Sequence, residues 1–155
     1  MQDRDDLSKA RNCALRLIKF RLRSEKEVRD KLKEKGFAAE TIDTAVDFLK
    51  KTGLLDDTLF ARLWVESRIK RPLGLARLRL ELKKKGIDKG VIEPVLEAAS
   101  ANYSEEEAVK NIIDMKIKKM RGLDPVKAKR RLYGFLLRRG YPYGLVMDAL
   151  KEIEE

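Results

Sequence analysis

The chain has 155 residues and carries 36 Lys and Arg against 26 Asp and Glu, a net charge of +10, with 43% apolar and 40% charged residues. That length suits one ordinary domain or a row of small units and excludes two large ones; the apolar share excludes disorder as the default, and the positive charge favours polyanionic partners, either nucleic acid or an acidic protein surface. The lack of histidine removes the commonest general base and metal ligand, and a single cysteine, Cys13, excludes an internal disulfide and points to a reducing compartment.

The opening MQDRDDLSKARN is acidic and polar, unlike the basic end and apolar run of a signal peptide, and no apolar stretch approaches the ~20 residues of a membrane span; a cytoplasmic protein without membrane contact is expected. The first helix is read in LSKARNCALRLIKFRL, where Leu7, Ala10, Ala14, Leu17 and Ile18 recur at helical spacing, with Cys13 as a small core residue. Ser24 and Glu27 form a capping box for a second helix, whose Val28 and Leu32 share one face before Gly36. After Phe37, a third helix presents Ile42 and Val46.

Asp56 and Asp57 stand at the start of DDTLFARLWVESRIK and read as caps rather than magnesium ligands. The expected apolar face is Leu59, Phe60, Leu63 and Trp64, which makes Trp64 a core residue before a base-stacking platform. Leu78 and Leu82 precede Gly86; Ile87, Ile92 and Leu96 follow it. Pro94 faces the carbonyl of Gly90, so the sixth helix is expected to kink or to start late. In SEEEAVKNIIDMKIKKM the face is Val109, Ile112, Ile113, Ile117 and Met120 behind a second capping box, Ser104 with Glu107. Asp124 caps an eighth helix with Pro125 at its first position, where the missing N–H costs nothing. Leu132 and Leu136 lead to Gly140, then Tyr141, Val146 and Leu150, with Tyr143 freer to be exposed.

Aligned on Gly36, Gly86 and Gly140, these phrases superpose at every framework position with a period of about 50 residues, in the range of repeat architectures. The expected fold is all-α: three tandem three-helix repeats, residues 1–53, 54–101 and 102–155, stacked as an elongated, curved array because units of that size have thin cores.

Lys35, Lys85 and Arg139 immediately precede the three glycines, as cations favoured at helix C-termini do. That account does not cover Arg68, Lys70, Arg71, Arg77, Arg79, Lys83 and Lys84, or Arg138 beside Arg139, and these with the former three are the candidate partner-binding basic surface. No G-x-x-x-x-G-K loop or dinucleotide fingerprint is present, so a non-enzyme without cofactor or metal is expected. A helix-turn-helix reader needs polar or basic side chains on its second helix; AAETIDTAVDFLKK, DKGVIEPVLEAA and YGLVMDALKEIEE are apolar and acidic, which disfavours major-groove reading.

SEKEVRDKLKEKGF, GLLDDTLFARLWVESRIKR and GLARLRLELKKKGIDKGVIEPVLE, in this order, resemble the RecX family of recombinase regulators, and the resemblance runs from Ala14 to about Leu150. It implies tandem three-helix repeats and a monomeric cytoplasmic modulator that binds the RecA recombinase filament on DNA and inhibits strand exchange, ATP hydrolysis and co-protease activity, with single- or double-stranded DNA as a further candidate contact. It carries over no catalytic residues. The alternative is a sequence-indifferent DNA-binding protein acting directly through its basic surface.

Overall fold

The computed structural model describes residues 2–154, and all regular structure among them is helical. The elements are α1 (Gln2–Phe20), α2 (Glu25–Glu34), α3 (Ala39–Lys51), α4 (Asp57–Ile69), α5 (Leu75–Lys84), α6 (Lys89–Ser100), α7 (Glu105–Lys119), α8 (Pro125–Arg138) and α9 (Tyr143–Lys151), followed by a 3-10 turn, Glu152–Glu154.

The helix boundaries follow from local chemistry. At α2 the capping box closes in both directions: the Glu27 N–H donates to Ser24 Oγ at 3.2 Å and the Ser24 N–H to Glu27 Oε2 at 3.1 Å. At α7 only the serine half is made among the described residues, with the Glu107 N–H on Ser104 Oγ. Asp56 accepts the Thr58 and Leu59 N–H groups at the head of α4, and Asp124 accepts that of Lys127 at the head of α8.

Each second helix ends on its aligned glycine in the left-handed region, φ +86° at Gly36, +77° at Gly86 and +87° at Gly140, where a side chain is strained. The next N–H reaches back into the helix just ended: Phe37 to Leu32, Ile87 to Leu82 and Tyr141 to Leu136. These six-to-one bonds satisfy carbonyls that a helix end otherwise orphans.

The framework positions are buried, with Phe37 half-buried as the exception. On α4 the buried face is Phe60, Ala61 and Val65; Leu63 is 40% exposed and Trp64 half-buried, so the expected face is rotated. The reason is the polar edge of the indole, which takes a carboxylate partner rather than the core. Pro94 lies within α6, yet that helix starts three residues after its glycine, as α3 and α9 do, so the expected late start does not occur.

Two compact units divide the chain: residues up to Leu63 with Leu82–Ile92, and Trp64–Glu81 with the residues from Glu93 on. In the first unit α1 packs on α3 and α2 around Ala14, Val28, Leu32, Ile42, Val46, Leu49 and Leu55. In the second, α7, α8 and α9 enclose Val109, Ile112, Ile113, Leu132, Leu136, Tyr141, Val146, Ala149 and Leu150.

An arginine cleft as the candidate polyanion site

The second unit contains a cleft of about 390 Å³ lined by five arginines, Arg68, Arg71, Arg77, Arg138 and Arg139, with Leu73, Glu81 and Phe135. Arg68 comes from the last turn of α4, Arg71 from the turn after it, Arg77 from α5, Arg138 from the end of α8 and Arg139 from its C-cap. Residues 68–77 and 138–139 are therefore brought together although far apart in sequence.

Glu81 organises one wall. Its carboxylate accepts both Nε and Nη2 of Arg68 at 3.1 Å and the Trp64 indole N–H at 3.0 Å, with Arg77 Nε 3.6 Å away. The Arg68 guanidinium also stands 5.1 Å from the Trp64 ring centroid. A carboxylate with that many donors around it holds their geometry, and the bidentate fork fixes the guanidinium plane. Trp64 is thereby a strut of the cleft and not an open stacking surface. On the opposite wall Phe135 has the Arg139 guanidinium 4.9 Å and the Lys116 ammonium 3.9 Å from its ring centroid, so this ring too is engaged by cations. Arg139 also donates to the Pro72 carbonyl. Gly134 lets Arg138 fold back over α8: a Cβ there would lie 3.0 Å from Nη1.

One carboxylate against five guanidiniums leaves a strongly positive concavity. Guanidinium stays charged at any physiological pH and its fork matches phosphate or carboxylate oxygens. The arrangement is suited to holding an oxyanion. Among the described residues no His, Cys, Asp and Glu cluster able to hold a metal ion is present.

The remaining residues of the expected basic surface lie elsewhere. Arg79 is paired with Glu93 through two bonds of 2.8 and 3.1 Å. Lys85 grips Glu27 at 2.6 Å. Lys70, Lys83 and Lys84 are exposed, and Lys35 lines a groove of the first unit with Cys13, Phe20 and Phe37. Sequence reasoning missed Glu81, Phe135 and Gly134; the i, i+4 spacing of Arg77 and Glu81 was the available signal for the first.

Buried ionisable groups mark the joins between helices. Burial pushes the Glu27 carboxyl up, but Lys85, the Ser24 N–H and Arg21 outweigh it and hold the group below the usual carboxylate range. Burial raises Asp57, despite the hydrogen bond it accepts from the Glu25 N–H. In the second unit the Tyr141 phenol is pushed far up by burial and by its hydrogen bond with Tyr103, which itself bonds the Leu73 carbonyl at 2.8 Å.

Comparison with known proteins agrees with this architecture. The family models for the first, second and third three-helix domains of RecX match residues 10–49, 56–96 and 104–150. The regulatory protein RecX of Clostridium botulinum (strain Alaska E43 / Type E3) is 36% identical over 154 residues, covering 98% of this chain and 72% of that one. The regulatory protein RecX of Amycolatopsis mediterranei (strain U-32) is 38% identical over 148 residues, 93% of this chain and 82% of that one. The crystal structure of RecX from Lactobacillus salivarius superposes with a TM-score of 0.79 at 25% identity, covering 97% of both chains.

Proposed function

Because this chain belongs to the RecX family of regulatory proteins, we propose that it regulates a RecA recombinase filament on DNA, inhibiting the filament's recombinase, ATPase and co-protease activities and so modulating repair. It does so as a cytoplasmic, non-enzymatic monomer. The observation that carries this reading is the cleft of five arginines, which fits the negative field of a nucleoprotein filament. A chain held there blocks protomer addition or the closure needed for ATP turnover, and because filament growth is an equilibrium, modest binding energy shifts it.

The test is the ATPase of a recombinase filament on single-stranded DNA. Inhibition is expected well below one chain per protomer, and no effect at equimolar amounts rejects the reading. Arg71→Glu with Arg138→Glu, both exposed cleft residues, should raise the concentration for half-inhibition at least tenfold while helicity and melting stay unchanged. The second reading, direct sequence-indifferent binding of DNA, is favoured by the same guanidiniums, which fit phosphodiester oxygens. It gains if bare DNA binds the chain as tightly as the coated filament does.

A further inference from the structure

On α1 an apolar strip and a row of cations run side by side. Cys13, Leu17 and Phe20 follow one another at i, i+4 and i+7, and Lys9 and Arg16 stand about 10 Å apart along the neighbouring line of the helix. With Lys35 and Phe37 from the Gly36 turn, and Arg23 beyond the end of α1, they line a groove of about 840 Å³. Every residue of that groove belongs to the first unit, and no carboxylate is among them.

The attractive groups in this groove are not used up inside the chain. Lys9 is held by Asp5 at 2.8 Å, but Arg16, Arg23 and Lys35 make no ion pair among the described residues. Arg23 goes further, because its Nε is shut off from solvent and meets no acceptor. A guanidinium dried on one edge without a hydrogen bond costs stability, and a carboxylate brought to the groove offsets that cost. Phe20 is 85% exposed, with Cys13, Leu17 and Phe37 half-buried around it. A phenylalanine left in water beside an apolar strip is surface for a partner to cover.

We propose that this groove binds an acidic segment of another protein, in which carboxylates flank one large apolar side chain. Arg16, Arg23 and Lys35 take the carboxylates; Leu17, Phe20 and Phe37 take the apolar anchor. Single-stranded nucleic acid fits less well, since its bases need ring faces in series, and here one exposed ring has a thiol, a leucine and a half-buried phenylalanine for neighbours. A free phosphate would leave the apolar strip uncovered. The arginine cleft of the second unit selects differently: its one lining aromatic, Phe135, is already engaged by Lys116 and Arg139. Charge suffices there, whereas this groove asks for charge and an anchor together.

The inference is separate from the recombinase reading, since its test contains no recombinase. The full chain carries Arg71→Glu with Arg138→Glu, which removes the competing cleft. The probe is a fluorescein-labelled, end-capped peptide of glutamates and aspartates around one phenylalanine, followed by fluorescence anisotropy at physiological salt. The chain should bind it, and alanine in place of the peptide's phenylalanine should weaken binding at least fivefold. Arg16→Glu with Lys35→Glu, both exposed, should weaken it at least tenfold and Phe20→Ala at least fivefold, with helicity unchanged. Lys83→Glu with Lys84→Glu, equally exposed and outside the groove, should leave it within twofold. If the first pair loses helicity, Arg16→Gln with Lys35→Gln replaces it. No binding overturns the proposal, as does binding indifferent to the peptide's phenylalanine or weakened as much by the Lys83 and Lys84 pair. An oligothymidylate of equal charge that binds more tightly and is lost with Phe20→Ala overturns it in favour of single-stranded nucleic acid. Self-association in sedimentation velocity that Arg16→Glu with Lys35→Glu abolishes overturns it in favour of a second copy.

Discussion

Leu82 is fully buried, and Leu82→Ala should destabilise by about 2–5 kcal/mol, from lost transfer energy plus the cavity left behind. Urea denaturation reads this directly, and a change under about 0.5 kcal/mol would contradict the burial. Glu27 supplies a pH signature. Its carboxyl is held below its ordinary value of 4.5, so its stabilisation is complete above that value and is lost as the pH falls through the lower folded-state value. The difference in melting temperature between wild type and Glu27→Gln is therefore expected to be largest near neutrality and to shrink below pH 4.5; a difference constant with pH would place the effect elsewhere. Residue type alone does not separate Arg77 from Arg79: the first lines the cleft and the second is bound to Glu93. Reversing Arg79 would set two carboxylates together and confound any binding assay.

At the scale of elements, the aligned glycines have two duties that substitution can separate. Gly36→Ala meets only the left-handed conformation, about 1–2 kcal/mol. Gly140→Ala meets that and more, because its Cβ would fall 2.5 Å from Arg77 Cβ and 2.6 Å from the Arg77 nitrogen. Overpacking of that kind adds about 1–3 kcal/mol, so thermal melting should rank Gly140→Ala well below Gly36→Ala, and equal losses would show that the α5 start yields easily. Spacing made the glycine turns legible. It did not make legible that Gly74 lies against the Gly140 backbone, because that approach joins distant segments. Helix periodicity likewise located α4 but misplaced its face, since Trp64 satisfies a helical pattern equally well as core or as donor to Glu81.

For the whole molecule, net charge and cleft make separate claims. Charge of +10 attracts any polyanion, whereas the cleft concentrates five guanidiniums at one place. If duplex DNA is held there, log affinity should fall linearly with log salt, and each phosphate contact removed should flatten the slope by about 0.9. Arg71→Glu with Arg138→Glu should flatten it by about 2; an unchanged slope would mean that DNA is held by charge elsewhere on the surface.

The sequence by itself determined the three three-helix repeats, the turns that end each second helix and the leucine, isoleucine and valine core, because those features are written in local spacing and glycine conformation. Only the tertiary structure decided which cations act together. Arg68 and Arg139 share a cleft, while Lys85 and Arg79 are bound by Glu27 and Glu93. A cation's partner is set by what folds against it, and local spacing along a helix carries no record of that.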